Sequence, residues 1–141
     1  MLVNFNVAGD LAGLLISYLE ANPLLEIAEN SVDKDVHKQL QQLRLKLAQY
    51  NANSRMPFTD WWHALEVIAK VYGKPYIGLE VGAYIQASHC GVLGYLSLSC
   101  EYLAEALLRF ERYQRLLYEG NEAFTRSEGD QVIFSWPYDY G

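Results

Sequence analysis

His89 and Cys90 are the adjacent pair of side chains best suited to catalysis. A histidine beside a cysteine can act as the base that generates a thiolate nucleophile. Side chains of adjacent residues on a turn rarely point at each other, however, and the sequence contains neither a glycine-rich phosphate loop nor a nucleophile elbow. We therefore predict no catalytic residue, and a small cysteine-dependent enzyme is the least favoured of the functions considered.

A metal site is the second kind of chemistry that these residue types could supply. A structural zinc site needs about four ligands, commonly in paired spacings such as C-x-x-C. The sequence offers His63, His89, Cys90 and Cys100 without such a pair. We therefore expect no metal and no cofactor, and we interpret the thiols as small packed side chains.

Aromatic residues give the strongest indication of a ligand. They make up 13% of the chain, with eleven tyrosines and three tryptophans, and ligand pockets are mostly apolar with a few polar groups. Residues from different predicted elements that must share one core form the candidate pocket for a small organic effector: Trp61, Trp62, Tyr95, Tyr113 and Trp136. Aromatic residues at helical spacing also build ordinary core, so both interpretations stay open.

The charge balance bears on the partners of the chain. The formal net charge is −6, and the three arginines between Arg109 and Arg115 are offset by Glu105, Glu111 and Glu119. We therefore expect no direct nucleic-acid contact. No apolar run has the length of a membrane span and no secretory signal precedes the cysteines, so the sequence predicts a cytoplasmic protein without membrane contact.

The elements that must position these groups are mostly helices. Apolar residues recur at helical spacing after Asp10, a suitable cap, and Asn22-Pro23 ends this first helix. Pro23 can begin a further turn over Leu24 to Glu29. A longer helix is predicted from Ser31 or Asp33 to about Tyr50.

The long helix carries an apolar seam, whose members are separated by alternating steps of four and three residues: Val36, Leu40, Leu43, Leu47 and Tyr50. This spacing is a heptad pattern over two repeats. The seam can pack across a dimer or against the core of its own domain, and both arrangements give the same pattern. It is the candidate dimer contact, and Leu45 lies off it.

Glycine and capping residues divide the middle of the chain. Thr59 is predicted to cap a third helix, which ends at Gly73 in the left-handed conformation. The glycines that follow predict short helical turns in which backbones approach closely: Gly78, Gly82, Gly91 and Gly94. Ser99 is predicted to cap the clearest helix, from Glu101 to about Glu119.

The hydrophobic period then changes from helix to strand. Glu122 to Ser127 and Gln131 to Tyr138 are predicted strands, joined at Glu128-Gly129-Asp130. Because an isolated hairpin is marginal in water, we expect a larger sheet that continues beyond this chain. The predicted fold class is α+β, mostly α, with five to six helices before the hairpin in one domain over residues 1–141, incomplete at its C-terminal end.

An ordered series of segments resembles the N-terminal regulatory domain of AraC-type transcription regulators, in the branch labelled arabinose-binding. The segments run from about Asp10 to Trp136 and include Arg55-Met56-Pro57-Phe58, Pro75-Tyr76-Ile77-Gly78-Leu79-Glu80-Val81-Gly82, His89-Cys90-Gly91-Val92-Leu93-Gly94-Tyr95, Glu105-Ala106-Leu107 and Arg112-Tyr113. The resemblance implies a domain that senses an effector, forms a homodimer and precedes helix-turn-helix units that this chain does not contain.

Two compatible functions follow from the resemblance and the pattern. In the first, a small organic effector binds among the helices and strands and shifts the pose of the DNA-binding domain through different affinities for two states. In the second, the chain is a dimerisation module without a ligand, supported by the heptad seam and an open sheet edge.

Overall fold

Helix α1 (Leu11–Ala21) begins directly after Asp10, and its apolar residues recur at helical spacing. These residues place the helix in the hydrophobic core. Its fully buried side chains include Leu15, Tyr18 and Leu19. The computed structural model of the chain describes residues 4–24 and 31–137. Most of the predicted turn over Leu24 to Glu29, and the predicted strand end at Tyr138, lie outside these residues.

Helices α2 (Ser31–Leu47) and α3 (Phe58–Tyr72) pack against α1 and against each other. The predicted extent of α2 is confirmed to within three residues at its end. Gly73 ends α3 in the left-handed conformation, with φ of 64°, as the sequence predicts. Its backbone N–H is directed at the carbonyl groups of Ala69 and Lys70.

The predicted cap of α3 at Thr59 is wrong, because the helix already begins at Phe58 with Pro57 in the capping position. The chain enters α3 directly from strand β2 (Arg55–Pro57). The backbone N–H of Phe58, the first of the helix, donates to the carbonyl of Phe5 at 2.9 Å. The segment before β1 therefore satisfies one of the unpaired backbone donors at the start of α3.

Strand β2 pairs antiparallel with β1 (Asn6–Ala8), with Val7 opposite Met56. This sheet is not apparent from the sequence, because three-residue strands are too short to show a period of two. Tyr118 extends the sheet through a bridge to Val7, and Ala8 donates a backbone hydrogen bond to Leu117. Both Val7 and Met56 are buried, so the small sheet closes one side of the core.

The glycine-rich middle of the chain forms α4 (Ile77–Gly82), a 3₁₀ turn over Ala87–Cys90 and α5 (Gly91–Leu98), as predicted. Gly94 is packed against the backbone of Ala87, and Gly91 has a positive φ of 56°. The expectation of close packing is wrong for Gly78 and Gly82, since a Cβ atom there would meet nothing within 4 Å.

The last helix is shorter than predicted and α6 spans Leu103–Tyr113, followed by a 3₁₀ turn over Gln114–Leu116. The predicted cap at Ser99 is wrong, because its hydroxyl donates to the carbonyl of Leu96 in α5 at 2.8 Å. Residues beyond the turn leave the helix to join the edge of β1. Strands β3 (Phe124–Glu128) and β4 (Gln131–Ser135) form the predicted hairpin, with Gly129 at φ of 62°.

The fold class is confirmed: the described residues form six α-helices and two small antiparallel sheets, an α+β fold that is mostly α. None of the helices in this part of the chain is long and apolar enough to cross a membrane. The larger sheet expected around the hairpin stays a prediction.

A polar clasp joins the segment after the second 3₁₀ turn to the small sheet, and we define it by Asn6, Arg55 and Glu119. The carboxylate of Glu119 accepts hydrogen bonds from the backbone N–H of Asn6 at 3.0 Å and from Arg55 Nη2 at 2.8 Å. Arg55 also donates to the carbonyl of Leu116 at 2.6 Å. The backbone N–H of Asn6, followed by its side chain and Arg55, lowers the pKa of Glu119.

Stability is expected to fall in acid partly through this clasp. A lowered folded pKa means that ionised Glu119 stabilises the native state above its unfolded pKa of about 4.3, and that this contribution is lost as pH falls through the lower folded value. Glu119→Gln should therefore cost about 1 kcal/mol at pH 7, a value kept small because the side chain is 37% exposed, and much less at pH 3.

Urea unfolding of both proteins at pH 7 and pH 3 measures this difference. The matched control is Glu128→Gln on the hairpin, where Glu128 forms an exposed ion pair with Arg126. An equal loss for Glu119→Gln at both pH values would contradict the assignment.

Candidate effector-binding site

A cleft of about 940 Å³ lies between α5, α6 and the segment that leads into β3. We call it the α6 cleft. Its wall is mixed, with charged side chains and apolar ones from three elements. The lining residues are Leu96, Glu105, Leu108, Arg109, Glu111, Arg112, Tyr113, Gln114, Glu122, Ala123 and Phe124.

The side chain of Gln114 fixes one end of this cleft. It is buried, and its amide group donates to the carbonyl of Ala123 at 2.8 Å and accepts from the backbone N–H of Ala123 at 2.6 Å. The side-chain amide of Gln114 therefore makes with Ala123 the same two kinds of hydrogen bond that the backbone of an adjacent strand would make. This double contact holds the segment before β3 against the end of α6.

Glu111 attaches the first residues of β3 to α6. Its carboxylate accepts a hydrogen bond from the backbone N–H of Thr125 at 2.7 Å and another from the Thr125 hydroxyl. These bonds, the one from the hydroxyl first, lower the pKa of Glu111. The carboxylate is therefore ionised at neutral pH and adds a fixed negative charge to the cleft.

The other charged groups of the cleft are mostly paired. Glu105 accepts from Arg109 at 2.6 Å, and Arg109 also donates to the hydroxyl of Ser99 at 2.9 Å. Glu122 forms an ion pair with Arg115 at the rim. These pairs neutralise most of the charge on the walls, so the groups without a partner decide which ligand the cleft can hold.

Two of the five predicted effector-binding aromatic residues line clefts, and these two clefts are different. Tyr113 lines the α6 cleft. Tyr95 lines a different one of about 540 Å³, lined also by Arg55, Cys90 and Val92, which we call the α5 cleft. The expectation that the five residues share one core is wrong, because four of them are exposed: Trp62, Tyr95, Tyr113 and Trp136. Their contact with an effector stays a prediction.

The three tryptophans have structural neighbours of other kinds. Trp61 packs partly buried against the core. Trp62 is 53% exposed and donates from Nε1 to Glu66 at 2.9 Å. Trp136 lies edge-on to Phe134 and Phe110, with ring centroids 4.5 and 6.2 Å away, so it joins the hairpin to α6.

The heptad seam lies mainly inside the domain. Leu40, Leu43 and Leu47 are buried in the same core as α1, and Val36 is half-buried at the start of the seam. Tyr50 packs on the edge of this core and donates from its hydroxyl to Asp60 at 2.9 Å. Of the two arrangements that the pattern allows, packing against the domain itself accounts for the three buried leucines.

The adjacent His89 and Cys90 have no arrangement that would activate a nucleophile. Nδ1 of the buried His89 accepts from the backbone N–H of Gln86 at 3.0 Å, and Nε2 lies 3.3 Å from the hydroxyl of Ser17. Both ring nitrogens are thus engaged elsewhere. Burial, together with the charge of Asp10, raises the pKa of the Cys90 thiol, which disfavours a thiolate.

No group of three or more histidine, cysteine, aspartate or glutamate side chains is arranged to hold a metal ion among the residues that the structure describes. The sequence does not reveal that Gln114 fixes one end of the candidate site. Its amide pairs with Ala123, nine positions away, and no periodic pattern in the sequence predicts such a contact. Tyr113 is one of the aromatic candidates that the sequence singles out, whereas the sequence gives Arg112 no role of its own.

The fold is a small α+β domain with an open cleft beside α6. Residues 35–140 match the family model described as the arabinose-binding domain of AraC transcription regulators, N-terminal. The match spans about three quarters of the sequence, and the chain belongs to this family of regulatory domains. Neither a curated protein nor a solved structure matches the chain.

Proposed function

We propose that this chain is the effector-sensing and dimerisation domain of an AraC-type bacterial transcription regulator, and that it binds a small organic effector in the α6 cleft. The observation that carries the proposal is the mixed polar and apolar cleft within the residues that match the regulatory family. Its volume of about 940 Å³ lies within the range of small-molecule sites, roughly 300–1,000 Å³. We further propose that this single domain acts in the cytoplasm.

An effector in this position could change the pose of whatever follows the hairpin. Glu111 and Gln114 hold the segment entering β3, and both line the cleft. A ligand that fits one arrangement of α6 and β3 better than another shifts the population toward the first. The clasp of Asn6, Arg55 and Glu119 would connect that change to the core.

Thermal unfolding in the presence of monosaccharides, organic acids and amines tests the proposal. A compound at one hundred times its Kd should stabilise the domain by about 2.7 kcal/mol, because it binds the native state only. Leu108→Trp, which fills the wall of the cleft, should remove this stabilisation. The matched control is Leu79→Trp on α4, where Leu79 is 80% exposed and does not line the cleft.

The proposal fails if none of the compounds raises the melting temperature. It also fails if the stabilisation caused by the best compound is the same in Leu108→Trp as in the native sequence.

Self-association is the second candidate function, and an exposed stripe on α5 supports it. Val92, Tyr95 and Leu98 lie three residues apart on this helix and are 66%, 61% and 73% exposed. A homodimer that covered this stripe would bury apolar surface of the kind found at interfaces. We therefore propose the stripe, rather than the buried leucines of the heptad seam, as the contact between two copies.

A further inference from the structure

We infer that the α6 cleft takes a small carboxylic acid with an apolar body, bound through its carboxylate by the guanidinium group of Arg112 and the hydroxyl of Tyr113. The inference rests on the proposed function of the cleft and names the chemical class of its effector. It follows from which polar groups of the wall already have partners.

Every carboxylate of the cleft has at least one partner. One oxygen of Glu105 accepts from Arg109 and the other from the backbone N–H of Glu101. Glu111 accepts twice from Thr125, and Glu122 accepts from Arg115. A cationic ligand would find only the second oxygens of Glu111 and Glu122 without a hydrogen bond among the described residues, so an amine is the direct competitor of a carboxylate here.

Two donors of the cleft are free. Among the described residues Arg112 and the Tyr113 hydroxyl form no hydrogen bond or ion pair, although both residues line the cleft. The amide of Gln114 is occupied by Ala123, and Arg109 by Glu105 and Ser99. Both residues are exposed to solvent, so a ligand acceptor would replace only water there, and the planar guanidinium group matches the two oxygens of a carboxylate.

The apolar wall specifies the rest of the ligand. Leu108 is 61% exposed and Phe124 is 44% exposed, and both line the cleft with Leu96. An alkyl or aromatic body would cover them, and each buried methylene should tighten binding by up to about fourfold. The apolar body is needed because the ionised Glu111 repels an incoming carboxylate and offsets part of the attraction of Arg112.

Calorimetric titration of the 141-residue chain with four compounds separates the classes: hexanoate, 1-hexanol, hexylamine and L-arabinose. The first three have the same alkyl body and differ in the head group. We expect hexanoate to bind at least about tenfold more tightly than the alcohol or the amine, because a hydrogen bond to a charged group contributes more than a neutral one. Arabinose lacks both the charge and the apolar body.

Three variants test whether Arg112 and Tyr113 bind the carboxylate of hexanoate. Arg112→Gln should weaken hexanoate binding at least about tenfold, and Tyr113→Phe should weaken it a few-fold. Arg126→Gln is the matched control, because Arg126 pairs with Glu128 on the hairpin and does not line the cleft. Circular dichroism and the melting temperature of each variant verify that the domain is folded.

The inference is overturned if hexanol or hexylamine binds as tightly as hexanoate, or if Arg112→Gln leaves the affinity for hexanoate unchanged. If arabinose or hexylamine binds instead, and Leu108→Trp abolishes that binding, the result still supports the proposed function of the cleft. Binding of none of the four compounds contradicts the inference, and only the failure of the wider panel contradicts the proposed function.

Discussion

Replacing Gly94 with alanine is expected to destabilise the domain by about 3 kcal/mol or more. Gly94 is buried where α5 crosses the 3₁₀ turn before it. An added Cβ would lie 2.1 Å from the carbonyl oxygen of Ala87 and 2.8 Å from its carbonyl carbon and Cα. All three atoms belong to the backbone, so no side-chain rotation can relieve the clash and α5 must move.

The same substitution at Gly82 is the matched control. Gly82 ends α4 and has nothing within 4 Å of an added Cβ. Alanine favours a helix over glycine by at most about 1 kcal/mol, so Gly82→Ala should leave stability unchanged or raise it slightly. Urea unfolding measures both variants, and a loss of less than 1 kcal/mol for Gly94→Ala would mean that α5 does not pack on Ala87 in this way.

Truncating Leu47 to alanine is expected to cost about 2–5 kcal/mol, the usual range for a buried leucine. Leu47 is 2% exposed and belongs to the core shared by α1, α2 and α3. Leu45 lies two residues earlier on the same helix and is 65% exposed. Leu45→Ala should therefore change stability by no more than about 0.5 kcal/mol.

The concentration dependence of this effect separates the two interpretations of the heptad seam. If Leu47 packs inside one protomer, the unfolding midpoint of Leu47→Ala drops equally at low and high protein concentration. If it packs across a dimer, the midpoint loss grows as the protein is diluted, and sedimentation velocity shows weaker association. The structure predicts an equal loss at both concentrations. A loss that grows on dilution would identify the heptad seam as the dimer contact.

The elements of this fold could be predicted where a period or a single backbone requirement identifies them. The spacing of Leu40, Leu43 and Leu47 gives the correct helix and its buried face. Gly73 and Gly129 lie at the predicted turns, because their positive φ is costly for other residues. These predictions depend only on local backbone geometry, which follows from the residue types and their spacing.

The predictions that failed depend on contacts between distant segments. Thr59 is an acceptable cap, but a backbone partner at Phe5 moves the start of the helix. Gly78 and Gly82 have the spacing of a packed stripe, yet no element lies over them within the described residues. The sheet of β1 and β2 joins segments almost fifty residues apart and carries too few residues for a pattern.

The candidate site illustrates the same limit. The sequence suggests a pocket by residue type, and of its five aromatic candidates Tyr113 lies in the α6 cleft. The wall is otherwise set by pairing: Gln114 with Ala123, Glu111 with Thr125 and Arg109 with Glu105. Which donors have no partner can be found only after those pairs are known, so Arg112 could not be selected from the sequence.

The most direct test of the α6 cleft as the effector site is a map of backbone amide chemical shifts in the 141-residue chain during titration with hexanoate. We expect the largest shifts at amides of the cleft wall, such as those of Leu96, Arg112 and Phe124. Shifts concentrated in the α5 cleft around Arg55, Cys90 and Tyr95 would contradict it.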